Sequence, residues 1–95
     1  ETAVRERLPI LSILLNNSAM AIELDIMPAA TARFRATDIS GDYAAFARAL
    51  GGYGERVEHP DDIAGAIRRG IAATQAGQPA LIEFITSKEK RASRL

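Results

Sequence analysis

The sequence predicts an α/β fold, a parallel sheet of about three strands with flanking helices. Three observations carry that expectation. Residues 10–15 and 80–86 are apolar runs with little alternation, as in strands covered on both faces of a parallel sheet. Two segments of helical periodicity, opening at Asp42 and at His59-Pro60, lie between those runs. Glycine or proline stands at most of the changes of period. Strands alternating with helices imply a parallel sheet with right-handed crossovers.

The elements follow in order. Ala3, Val4 and Leu8 recur at helical spacing until Pro9 ends the run. The strand of residues 10–15 comes next, and residues 18–24 suit a helical turn or short helix. Residues 25–41 hold no sustained period and contain Pro28. An irregular segment of that length is usually functional or mobile. Asp42 is a good N-cap for a helix whose apolar face is Tyr43, Phe46, Ala47 and Leu50, and Gly51-Gly52 stop it. A short strand centred on Val57 follows. Pro60 takes the first position of the second helix, with Asp61 and Asp62 on its positive end. Its stripe is Ile63, Ile67 and Ile71, with Ala66 and Gly70 beside them, expected to face a sheet. Gly77 caps it, Pro79 prevents its continuation, and residues 80–86 close as a strand.

Ninety-five residues make one small domain. We expect it to span residues 1–87, with 88–95 as a basic, solvated tail. Lys and Arg together number 12, as do Asp and Glu, so no net field attracts nucleic acid or an anionic membrane. No apolar run approaches a membrane span and no signal peptide is visible. Without cysteine there is no disulfide or thiolate chemistry. The expected setting is cytoplasmic, with neither nucleic acid nor membrane as a partner. The chain starts inside a helix without a methionine or a cap residue, as a piece of something longer would.

Asn16 and Asn17 end the first apolar run, at the carboxyl end of a strand, where α/β sheets hold their ligands. A buried amide without partners costs ~1–3 kcal/mol, so a core has no use for two. An Asx-turn leaving the strand would use them. So would magnesium, which takes hard oxygen ligands and commonly shares them with substrate phosphates. Ser18 and Ala19 are small enough to let a backbone carbonyl approach the same ion.

Residues 1–20, "ETAVRERLPILSILLNNSAM", resemble the second half of the thiamine diphosphate motif of the acetolactate synthase, pyruvate oxidase and pyruvate decarboxylase superfamily. Thr2-Ala3, Arg5, Leu8-Pro9 and Asn16-Asn17 stand in matching places, and "DYAAFARALGGYGERVEHPDDIAGAI" followed by "GQPALIEFIT" continues the likeness. The resemblance implies part of a thiamine diphosphate-binding domain. It makes Asn17 a side-chain magnesium ligand, Ala19 a carbonyl ligand and Asn16 the supporting amide. Ser18 and Met20 complete the cofactor-binding stretch. It further implies decarboxylation or carboligation of a 2-keto acid, within a homo-oligomer and together with the remainder of a parent chain. Two departures stand out. The family's Gly-Asp-Gly, with its metal-binding aspartate, would fall before residue 1. A glycine often found four residues after the second asparagine is Ala21 here. The chain alone should be inactive. The competing reading is a small α/β interaction or regulatory module without catalysis.

Other residues weigh less. His59, before a helix-opening proline, reads as a surface cap-region residue, and Asp61-Asp62 as dipole partners. Arg33, Phe34 and Arg35 read as a solvated loop, with a substrate carboxylate as the alternative. Met20 and Ile22 read as helix packing, with contact to cofactor or substrate as the alternative. Gly51, Gly52 and Gly54 follow a helix and make no nucleotide fingerprint.

Overall fold

The structure is a computed structural model that describes residues 1–88. Most of the expected basic tail therefore lies outside the described residues. The elements are α1 (Thr2–Arg5), β1 (Leu11–Asn16), α2 (Pro28–Phe34), α3 (Tyr43–Ala49), β2 (Tyr53–Val57), α4 (Ile63–Gln75) and β3 (Ala80–Ile85), with 3-10 turns at Ala21–Leu24 and Pro60–Asp62. The sheet order is β1-β3-β2. β2 and β3 are parallel, in register from Tyr53 opposite Ala80 to Val57 opposite Phe84. β1 lies on the other side of β3, where Ala80 N–H donates to the Ile10 carbonyl at 2.8 Å and Thr86 N–H to the Asn16 carbonyl at 2.9 Å. The expected three-stranded parallel α/β fold is present.

Two compact units make up the described residues, Glu1–Leu15 with Asp42–Ile85, and Asn16–Gly41 with residues 86–88. The first holds the apolar core of Val57, Ala66, Ile82 and Phe84, with Leu11, Tyr53 and Ile67 packed against it. Full burial of a side chain such as Ile82 stabilises by about 1.5–3 kcal/mol.

Both crossover helices dock through their smallest residues, which corrects the sequence reading. In α4 the buried positions are Ala66 and Gly70. A Cβ on Gly70 would meet Leu11 Cδ1 at 2.9 Å and Ile82 Cδ1 at 3.1 Å, so the helix lies close to the strands there. Ile67 packs partly, while Ile63 and Ile71 stay exposed. In α3 the buried residue is Ala44. Its carbonyl oxygen lies only 2.0 Å from where a Gly54 Cβ would stand. Phe46 (63% exposed) and Leu50 lie outward, away from the expected packing role. With Val4, Ile10 and Leu81 they line an open groove of about 280 Å³.

The helix ends follow one rule. α3 stops with Gly51 left-handed (φ 90°), its N–H on the Arg48 carbonyl and Gly52 N–H on Ala47; α4 repeats the pattern at Gly77 and Gln78. This double bond pattern satisfies the last carbonyls of a helix. α1 uses it too, with Arg7 left-handed, Arg7 N–H on Val4 and Leu8 N–H on Ala3. The first helix therefore ends at Arg5, before Pro9 can act. At the other end of α3, Asp42 caps as expected, accepting from Ala45 N–H at 2.7 Å.

β1 departs from the expectation of a strand covered on both faces. It is an edge strand with Ile13 44% and Leu15 67% exposed. β3 is the covered strand. At its middle Glu83 is fully buried, its Oε2 accepting from Ala44 N–H at 3.0 Å and its Oε1 lying 3.9 Å from Arg56 Nη1. A buried carboxylate needs such partners. It ties the start of α3 to the sheet.

In the second unit, the segment read as irregular contains α2, with Pro28 in its first turn. Its Asp38 forms an antiparallel bridge with Ala19. α2 buries none of its residues, so it has no apolar stripe to read.

Candidate functional site: the asparagine corner

β1 delivers Asn16, buried, and Asn17, half-buried, into a tight turn. Asn16 Oδ1 accepts from Ser18 N–H at 2.9 Å, and Asn17 Oδ1 accepts from Ala19 N–H at 3.1 Å. Both are Asx-turn contacts, side-chain oxygen to the backbone two residues on. Ser18 takes the left-handed conformation between them (φ 56°). Asn16 also ties the neighbouring chain, its carbonyl accepting from Thr86 N–H.

Beyond the turn the chain pairs with residues 37–39. Met20 N–H donates to the Thr37 carbonyl at 2.8 Å, and Ile39 N–H to the Ser18 carbonyl at 3.0 Å. These two bonds flank Ala19 and Asp38 as a non-hydrogen-bonded antiparallel pair. In such a pair the central residue's own N–H and C=O point away from the partner strand. The Ala19 N–H points to Asn17 Oδ1, and the Ala19 carbonyl turns toward that same side. An amide oxygen carries two lone pairs, and the turn occupies one on Asn17. Two neutral, hard oxygens on one side of a turn fit part of a magnesium shell.

The donor set is incomplete in charge. Among the described residues no group of three or more His, Cys, Asp or Glu side chains could hold a metal ion. A cation here needs anionic ligands from a phosphate or from another segment.

The other flagged residues fall as follows. Met20 (47% exposed) and Ile22 (80%) are not packed, which overturns their reading as helix packing. Their turn is a 3-10 helix too short to bury a face. His59 is exposed at the turn that opens α4 and makes no side-chain capping bond. Asp61 and Asp62 are exposed in the same turn. Arg33 stacks over the Phe34 ring, 5.2 Å from its centroid.

Sequence reasoning passed over a charge cluster in the same unit. Arg35 Nε donates to Asp38 Oδ2 at 2.7 Å and Lys88 Nζ to Asp38 Oδ1 at 2.8 Å. The two cations hold the Asp38 carboxyl below the usual carboxylate range, the Lys88 bond contributing most. Asn17 and Ser18 line one cavity with these three residues, of about 380 Å³.

In open α/β sheets ligands sit beyond the carboxyl ends of the strands, which is where β1 ends in this polar turn. The family model described as thiamine pyrophosphate enzyme, C-terminal TPP binding domain, matches residues 1–84, and the chain belongs to that family. It is a domain for binding thiamine diphosphate in enzymes that depend on that cofactor. No helix among the described residues is long and apolar enough to cross a membrane.

Proposed function

We propose that this chain supplies the asparagine corner of the cofactor site in a magnesium-dependent enzyme of the acetolactate synthase-like group, acting on 2-keto acids. Asn17 Oδ1 and the Ala19 carbonyl ligate the magnesium ion. Asn16 fixes the turn, and Ser18 and Met20 border the diphosphate. What supports the reading is the side-sharing of the Asn17 oxygen and the Ala19 carbonyl at the turn. Thiamine diphosphate, when bound, supplies the electron sink for decarboxylation and carbon–carbon bond formation. The residues of this chain hold and orient it. Residues 1–87 form the working domain, with 88–95 as an appended basic tail.

Among the described residues no carboxylate cluster accompanies this corner, and in this reading the ion draws its negative ligands from the diphosphate and from the remainder of a parent chain. The setting is cytoplasmic and the assembly a homo-oligomer. Isothermal titration of magnesium-dependent thiamine diphosphate binding to the complete enzyme tests the corner. Asn17→Asp retains an oxygen ligand and should keep most of the affinity. Asn17→Ala should lose at least the ~10–100-fold that removal of even an outer-sphere partner costs. Equal affinity in both variants would reject the assignment.

A further inference from the structure

The interior of the second unit is polar. Among its described residues only Asn16, Ala19 and Thr37 are buried, while Ile22, Ile26 and Phe34 stand exposed. Two buried hydroxyl oxygens of this unit, Thr31 Oγ1 and Thr37 Oγ1, meet no hydrogen-bond partner among the described residues. Thr37 is buried completely. A hydroxyl so placed loses its hydration uncompensated, and native interiors seldom hold one that way.

A local acceptor lies within reach of sequence and is not used. A helical threonine can donate to a carbonyl one turn back. Thr74 in α4 does so on an exposed surface, its Oγ1 donating to the Ile71 carbonyl at 2.8 Å. In α2 the Met27 carbonyl takes the Thr31 N–H at 2.9 Å and not the hydroxyl. A water molecule both donates and accepts, and is held inside a protein by two to four polar groups. The carbonyls of Met27, Thr31 and Arg35 each accept a main-chain N–H here, and a carbonyl oxygen carries a second lone pair. Globular proteins hold about one internal water per 27 residues, roughly the size of this unit.

We propose that Thr31 and Thr37 anchor ordered internal water in the second unit, and that this water holds the segment closing the asparagine turn. Thr37 is central to that segment. Its carbonyl accepts from Met20 N–H at 2.8 Å, and the next residue, Asp38, is bridged to Ala19. The water site is independent of the magnesium reading of Asn17.

Oxygen-17 magnetic relaxation dispersion of the 95-residue chain tests it, because the amplitude counts internal waters of long residence. Thr37→Val replaces the hydroxyl with a methyl group of similar size and should lower the amplitude, as should Thr31→Val. Thr37→Ser keeps the hydroxyl and should keep the amplitude. Thr37→Val should also melt about 4–8 °C lower, the shift of roughly one hydrogen bond in a chain of this size. Its Met20 amide should exchange about tenfold faster than in wild type, with the Ile82 amide of β3 less affected. A dry hydroxyl predicts the reverse, since removing an unsatisfied buried group stabilises the fold. An equal or higher melting temperature in Thr37→Val, or the wild-type amplitude in either valine variant, would overturn the water site. Unchanged exchange at Met20 would overturn its hold on the turn.

Discussion

The two edges of the sheet are finished differently. Along β2 the outer face is charged and tied down. Tyr53 Oη donates to Glu55, Arg69 from α4 grips the same carboxylate through Nε and Nη2, and Arg56 pairs with Glu58 at 3.1 Å. Charge on an edge strand discourages pairing with another chain. Along β1 no such device exists among the described residues. Its exposed side chains include Ile13 and Leu15, and Ile10 before it opens onto the groove of Phe46 and Leu50. β2 is built to end the sheet, whereas β1 is built to be covered.

The largest test of that contrast is on the finished side. Gly54→Ala sets a methyl group 2.0 Å from the Ala44 carbonyl oxygen, backbone against backbone. α3 would have to leave β2, costing about 3 kcal/mol or more, at the upper end for single substitutions. Urea unfolding measures it, and a loss under ~1 kcal/mol would mean that α3 adjusts freely and does not seal that side.

On the open side the readout is association. We expect the chain to self-associate through β1, since an apolar, unprotected edge is a template for pairing. Ile13→Lys with Leu15→Lys should give a monomer by light scattering, at a folding cost within about 0.5 kcal/mol per exposed site. A wild-type chain that is monomeric at high concentration would sink the contrast.

The smallest effect lies in the β2 ion pair. The Arg69 hydrogen bond holds the Glu55 carboxyl below the usual glutamate range, and the same pairing raises the Arg69 guanidinium. Burial first, and then the Glu55 bond, push the Tyr53 phenol upward. A lowered carboxylate stabilises the fold above its unfolded value, and that contribution disappears as pH falls through the folded value. Arg69 is half exposed, so solvent screens the pair and the contribution should be small. Thermal unfolding from neutral to acid pH should show a shallower decline for Arg69→Met than for wild type. Parallel declines would remove the ion pair from the account of this edge.

How much of this was legible depends on whether a residue's role is local. Gly51 and Gly77 announced their helix ends because glycine is the usual left-handed residue. Arg7 and Arg35 do the same work without any such signal, and the first helix was read too long for that reason. α2 was hidden because a helix that buries nothing needs no period. The isoleucine stripe of α4 and the Phe46–Leu50 stripe of α3 were visible. Which side met the sheet was decided instead by Ala66, Gly70, Ala44 and Gly54, through how closely backbones approach. Glu83 was visible as a charge inside an apolar run, and its meaning needed the fold. Asn16 and Asn17 stood out as polar residues at a strand's carboxyl end. The cavity beside them did not, because Asp38 and Lys88 meet across 50 residues of sequence.

The bridge at Ala19 gives three neighbouring amide protons different custodians. Those of Met20 and Ile39 are held by main-chain carbonyls, which no ligand removes without unpicking the bridge. Among the described residues that of Ala19 is held by the side-chain oxygen of Asn17, the atom that a cation would draw toward itself. Its rate of exchange with solvent is therefore tied to how the Asn17 oxygen is shared, while its neighbours keep time for the bridge. The turn contains its own gauge and its own internal standard, one residue apart.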